Sequence, residues 1–125
     1  MKRVTLTLHY PTGAPTKNGT IYTHDAILNA FCEANTKQIP IIDYAHNERG
    51  KVVGIATPSA YYTEYNGCSI NNDCFFFDDT YIKEFDMECV INKFHKDQDG
   101  VTVIDDFRIT GMSITEDEYE QTQST

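Results

Sequence analysis

A chain of 125 residues is long enough for one modest hydrophobic core and too short for two. Its 40% hydrophobic content, with fifteen Phe and Tyr, fits a folded domain and excludes general disorder. A net charge of −9 argues against binding nucleic acid through phosphate contacts, while a basic protein partner would be attracted.

No apolar run approaches the length of a bilayer span. The start, Met1-Lys2-Arg3-Val4-Thr5-Leu6, is basic and then alternating, so it reads as a first strand rather than a signal peptide. An intracellular protein without membrane contact is expected. Cys32, Cys68, Cys74 and Cys89 form no CxxC pattern and no zinc module, and the four histidines are scattered. Reduced, mostly buried thiols are expected, with no metal and no other cofactor.

In chain order, residues 4–10 alternate with period two and predict a strand with one buried face. Residues 11–19 are rich in turn formers and close on Asn18-Gly19. A helix follows over 23–34, with Thr23 as its cap, Asp25 at its positive end, and Ala26, Ile27, Ala30, Phe31 and Ala34 along one face. Residues 39–55 set two apolar strands around Asn47-Glu48-Arg49-Gly50, so that His46 sits where a strand leaves the core for a loop. Residues 60–65 and 69–77 predict strands joined through Asn66-Gly67. Asp78-Asp79 start a second, short helical turn through Phe85. Residues 87–96 and 101–109 then pair across Asp97-Gln98-Asp99-Gly100, and the strand pattern closes at Thr115. The expected fold is α+β: a mostly antiparallel, barrel-like β domain over 1–115 with one or two flanking helices. Residues 116–125 form an acidic, disordered tail.

Several segments resemble, in order, the head-maturation (prohead) proteases of tailed phages, whose fold is shared with herpesvirus assemblins. Thr16-Lys17-Asn18-Gly19-Thr20-Ile21-Tyr22 with its following helix resembles their opening. Ile39-Pro40-Ile41-Ile42-Asp43-Tyr44-Ala45-His46 followed by Val52-Val53-Gly54 resembles the segment with the catalytic histidine. Gly111-Met112-Ser113-Ile114 resembles the segment with the nucleophilic serine. The resemblance implies a β-barrel serine endopeptidase that cuts scaffold or capsid chains in the host cytoplasm, inside the assembling phage head. Ser113 would be the nucleophile and His46 the general base. Asp105 would be the third member, with Asp43 and Asp106 as the other nearby candidates in the sequence. In a second register residues 103–115 match a later strand of that family, and Ser113 is then structural.

The chemistry of that reading is acyl transfer: a serine hydroxyl becomes nucleophilic when an imidazole accepts its proton, and a third group fixes the tautomer. Gly111 would allow close backbone approach at the oxyanion. The alternative is a non-catalytic phage protein on the same scaffold. It would bind a capsid component, or a basic host defence enzyme as an acidic inhibitor, through Tyr61, Tyr62 and Phe76. Neither alternative requires nucleic acid, and both leave room for a homo-oligomer.

Overall fold

Alternation along the first strand, β1 (Lys2–Pro11), sends Leu6, Leu8 and Tyr10 into the core and Thr5, Thr7 and His9 outward. The computed structural model describes residues 2–16, 18–45, 49–78, 84–115 and 123–124. After β1 come β2 (Thr20–Tyr22), α1 (His24–Ala34), β3 (Ile39–Asp43), β4 (Lys51–Glu64), β5 (Gly67–Phe76), β6 (Glu84–Lys96), β7 (Thr102–Thr115) and β8 (Gln123–Ser124). The domain is α+β, mostly strand with one short helix among the described residues, and its sheet curls into a half-barrel.

Helix α1 forms as its cap and spacing require. Thr23 Oγ1 accepts from the Ala26 N–H at 3.1 Å, and Ala26, Ile27, Ala30 and Ala34 are buried against β7 and β4. The helix stops where Asn35 donates from Nδ2 to the Pro58 carbonyl at 3.0 Å and Thr36 adopts a left-handed φ of 69°.

The sheet runs β2-β7-β3-β4-β5-β1-β8, with β6 on the opposite edge of β7. β1–β5, β4–β5, β3–β4 and β6–β7 are antiparallel; β2 and β3 both run parallel to β7. A parallel bridge from Thr12 to Tyr22 carries the end of β1 across to β2, which curls the sheet back toward β7. Edge-on ring contacts of Tyr22 with Tyr10 (5.9 Å) and Phe107 (5.1 Å) pack that closure. Gly67 is obligatory at the start of β5, because a Cβ there would meet the Tyr10 carbonyl oxygen at 2.1 Å.

Several boundaries differ from the sequence reading. The apolar run at 52–55 and the aromatic run at 60–65 are one fourteen-residue strand, β4, with an irregularity between Pro58 and Ala60. Glu84 and Phe85, expected at the end of a second helical turn, already belong to β6; residues 79–83 lie outside the described set. Of the expected tail, Gln123–Ser124 pair with β1 at Leu8 and Thr7, and residues 116–122 and 125 lie outside the described set. The turn at 97–100 forms as read, with Asp97 Oδ1 accepting from the N–H groups of Asp99 (2.8 Å) and Val101 (3.0 Å) and Gly100 at φ +79°.

The core gathers Leu6, Leu8, Ile27, Ile41, Ile70, Phe76, Phe85, Ile104, Met112 and Ile114. Phe76 is wholly buried within it, whereas its neighbour Phe77 is 42% exposed. Phe76→Ala is therefore expected to cost about 3–5 kcal/mol in a urea titration, and Phe77→Ala about 1 kcal/mol or less. Equal losses from the two would contradict this facing of the strand.

Candidate functional site

The parallel pairing of β3 with β7 matches Ile41 to Met112, Ile42 to Ser113 and Asp43 to Ile114. One further bond, Tyr44 N–H to the Ile114 carbonyl at 2.8 Å, continues the ladder past the end of β3. Met112 and Ile114 fill the core, so Ser113 points to the outer face, where it is 8% exposed. On that face its cross-strand neighbours are Ile42 on β3 and Asp86 on β6.

Asp43, on the inner face and buried, accepts the Ala45 N–H on Oδ1 at 2.8 Å, a local turn that lifts the chain off the sheet. His46 follows directly but lies outside the described residues. The returning side of the loop is fixed by Gly50, at φ +81°. A Cβ there would meet the Tyr44 ring at 2.7 Å and the Ile42 side chain at 2.8 Å, so Tyr44 folds over the glycine and the entry to the loop packs on its exit. Gly111 lies on β7 where β3 passes alongside. It permits close approach of β3, since a Cβ there would stand 3.1 Å from the Pro40 carbonyl oxygen.

The structure does not bring Asp105 to Ser113. They lie eight residues apart on one strand, ~25 Å along its axis, and Asp105 Oδ2 pairs instead with His95 Nδ1 at 2.6 Å. Asp106 accepts from Asn92 Nδ2 at 3.1 Å. Asp86 is the carboxylate beside Ser113 on the outer face. Nothing in the sequence separates it from Glu84 and Glu88, because only the β6–β7 register selects it.

The expected partner surface also divides. Phe76 is a core residue and not a surface one: strand alternation turns it inward, while Phe75 and Phe77 face out with their rings 6.4 Å apart. Tyr61 turns under α1, its ring 5.8 Å from that of Phe31. Tyr62 is exposed as expected, and Tyr65 in the β4–β5 turn is 98% exposed. Beside Phe75 the outer face of β1, β5 and β4 carries an open groove of about 910 Å³ lined by Arg3, Thr5, Gln38, Ile55, Thr57 and Asp73.

One polar cluster was not read from the sequence. His9 on β1, Ser69 on β5 and Glu64 on β4 meet on the outer face. His9 Nδ1 lies 2.7 Å from both Ser69 Oγ and Glu64 Oε1, and Ser69 donates to Glu64. A catalytic relay needs the two ring nitrogens to serve different partners. Here one nitrogen faces both, so the three form a closed clasp across three strands. The outward alternation of β1 was the only signal for it.

All four cysteines are free thiols. Cys32 is exposed, Cys68 and Cys74 are buried, and Cys89 is half-buried. Burial pushes the Cys74 thiol up to about 12 and raises Cys68 and Cys89; burial likewise takes Tyr61 up to about 12. Among the described residues no three His, Cys, Asp or Glu side chains are placed to share a metal ion, and no helix is long and apolar enough to cross a membrane. No protein-family model, curated protein or solved structure matches this chain.

The thiol environments have two measurable consequences. An alkylating reagent near pH 8 is expected to modify Cys32 first and to reach Cys68 and Cys74 only on unfolding, as read by peptide mass. The unfolded chain ionises its thiols near 9 and Tyr61 near 10, while the folded chain holds Cys74 and Tyr61 neutral to about 12. This stabilisation is complete below pH 9 and is lost as pH rises toward 12, so the urea midpoint should fall across that window. A flat profile would mean the thiols are not buried as described.

Proposed function

We propose that this chain is a head-maturation serine-protease-like protein of a tailed phage, acting on scaffold or capsid chains in the host cytoplasm within the assembling head. The reading is carried by one observation: β3, which leads directly into His46, is hydrogen-bonded alongside the strand that carries Ser113, with Ile42 and Ser113 on the same rung. His46 is three residues beyond Asp43, a chain length of at most about 10 Å, so its imidazole can reach the Ser113 hydroxyl. These residues are remote in sequence, and only a pairing of this kind allows them to act together.

In this mechanism Ser113 Oγ attacks the scissile carbonyl as His46 accepts its proton. The protonated imidazole then passes that proton to the departing amine, leaving an acyl ester on Ser113. Water, deprotonated by His46, cleaves the ester and restores both groups. Asp86 takes the orienting role that the sequence gave to Asp105, since it stands beside Ser113 on the outer face. The groove lined by Ile55 and Phe75 together with Arg3, Thr5, Gln38, Thr57 and Asp73 offers an extended substrate chain a mixed polar and apolar bed, and Ile55 pairs with Pro40 on β3.

A second reading is favoured by the low exposure of Ser113 together with the exposed Tyr62 and Tyr65 at the β4–β5 turn, beside Glu64. In it the same scaffold is non-catalytic and binds a capsid component or a basic host enzyme through that aromatic, acidic surface.

A fluorophosphonate probe separates the two. Under the protease reading it labels Ser113; Ser113→Ala abolishes labelling and His46→Gln slows it by about 100-fold or more. Asp86→Asn slows it too, whereas Asp105→Asn leaves it unchanged. Absence of serine-dependent labelling in a folded sample removes the protease reading. Co-elution with capsid or scaffold chains, weakened by Tyr62→Ala, then supports the binding one.

A further inference from the structure

Strand β6 is bonded on one side only among the described residues, to β7. Among the described residues its other edge is unpaired along a thirteen-residue strand, with alternate residues presenting backbone donors and acceptors there, the kind of edge that templates pairing with another chain. Natural edges are commonly blunted by charge and by bulges, and β6 has Lys93, Lys96 and a bulge at Asn92. It also carries Val90, Ile91 and Phe94, the last 60% exposed, so three of the large exposed apolar side chains fall within five residues of this one edge. That concentration is the opposite of a protected edge.

The charge on β6 is divided between its halves. Glu84, Asp86 and Glu88 lie toward its start, and Lys93, His95 and Lys96 toward its end. A strand of this pattern is complementary to itself when reversed. Register with β7 fixes the faces: Glu88, Val90 and Lys93 oppose Gly111, Arg108 and Asp106 on the outer face. Met87, Ile91 and Phe94 oppose the buried Met112, Phe107 and Ile104 on the inner face.

We propose that two copies of this chain join β6 to β6 in antiparallel pairing about a two-fold axis at Val90. Asn92 drops out of the ladder as the bulged residue. Glu88 of each copy then stands opposite Lys93 of the other on the outer face, and Met87 stands opposite Phe94 on the inner face. Cys89 meets Ile91 between them. The two half-barrels become one continuous sheet, and the apolar side chains left open at the edge of each core cover one another. Overall charge opposes association of two copies at −9 each, so the local match at β6 must supply both the attraction and the register. A segment of the same chain, or a different protein, would have no reason to carry this particular reversed charge order.

The experiment is sedimentation of the full chain over a wide concentration range, with circular dichroism to establish folding. The wild-type protein is expected to reach the mass of two copies and no more, because a two-fold pairing closes on itself. Glu88→Lys and Lys93→Glu each place like charges opposite one another twice, and each should weaken the dimer by about tenfold or more. Mixed in equal amounts, the two variants should associate again as a heterodimer, since both facing pairs across the two-fold axis then set a lysine against a glutamate. A single-copy mass at every concentration overturns the proposal. So does a dimer that neither reversal weakens, or variants that stay apart on mixing. Serine labelling is read separately, so failure here and failure of the protease reading are distinguishable.

Discussion

Three rungs between β3 and β7 hold the domain together. Ile41, Ile42 and Asp43 pair with Met112, Ser113 and Ile114, residues about seventy positions away in the chain, and no local preference could bring them there. On the core side of these rungs Ile41, Met112 and Ile114 are wholly buried, and Ile41 links onward through Gly54 to β4. Among the described residues, the long β6–β7 ribbon otherwise meets the rest of the domain chiefly through the three residues of β2 and the packing of α1. Closing so long a loop costs chain entropy before any contact forms, so folding of this domain is expected to be governed by non-local strand pairing.

The same constraint decides which chemistry is geometrically open. Parallel pairing puts the exit of β3 beside the end of β7, Asp43 against Ile114, and in sequence that exit leads to His46. Asp43 and Gly50 hold that exit: one through its bond to the Ala45 N–H, the other by leaving room for Tyr44 and Ile42. The loop is therefore anchored at both ends on the strand that neighbours Ser113. Along β7 the outward positions serve separate neighbourhoods, Ser113 beside β3 and Asp105 beside His95, so a single strand can carry a serine and an acid that never meet.

Away from that seam, the outer faces of β1, β5 and β4 carry a continuous polar row. Thr7 bonds Asn71 at 2.8 Å, and His9, Ser69 and Glu64 close their clasp one rung further on. These contacts tie neighbouring strands together on the outer face. Toward Phe75 and Ile55 the face opens into the groove, where Arg3, Thr5, Gln38, Thr57 and Asp73 stand beside them. One curled sheet thus presents three kinds of edge or face: a polar row, a groove of mixed polar and apolar lining over β4, β5 and β1, and the divided-charge margin of β6.

Much of the local structure was legible in the residues alone. Period-two alternation in residues 4–10, the Thr23 cap with its apolar stripe, and the turn at Asp97–Gly100 are each fixed by interactions within a few residues, which sequence pattern reports directly. The α+β barrel-like class followed from their sum. Phe75-Phe76-Phe77 could not be oriented by reading, because in a run of three identical residues only the register with Gly54 tells which one turns inward. Neither could the partner of Asp105, the choice of Asp86, nor the meeting of His9 with Ser69 and Glu64, since each depends on strands distant in sequence lying side by side. Spacing along the chain determined what each segment would become. Which segments became neighbours was decided only by burying their apolar faces in one shared core.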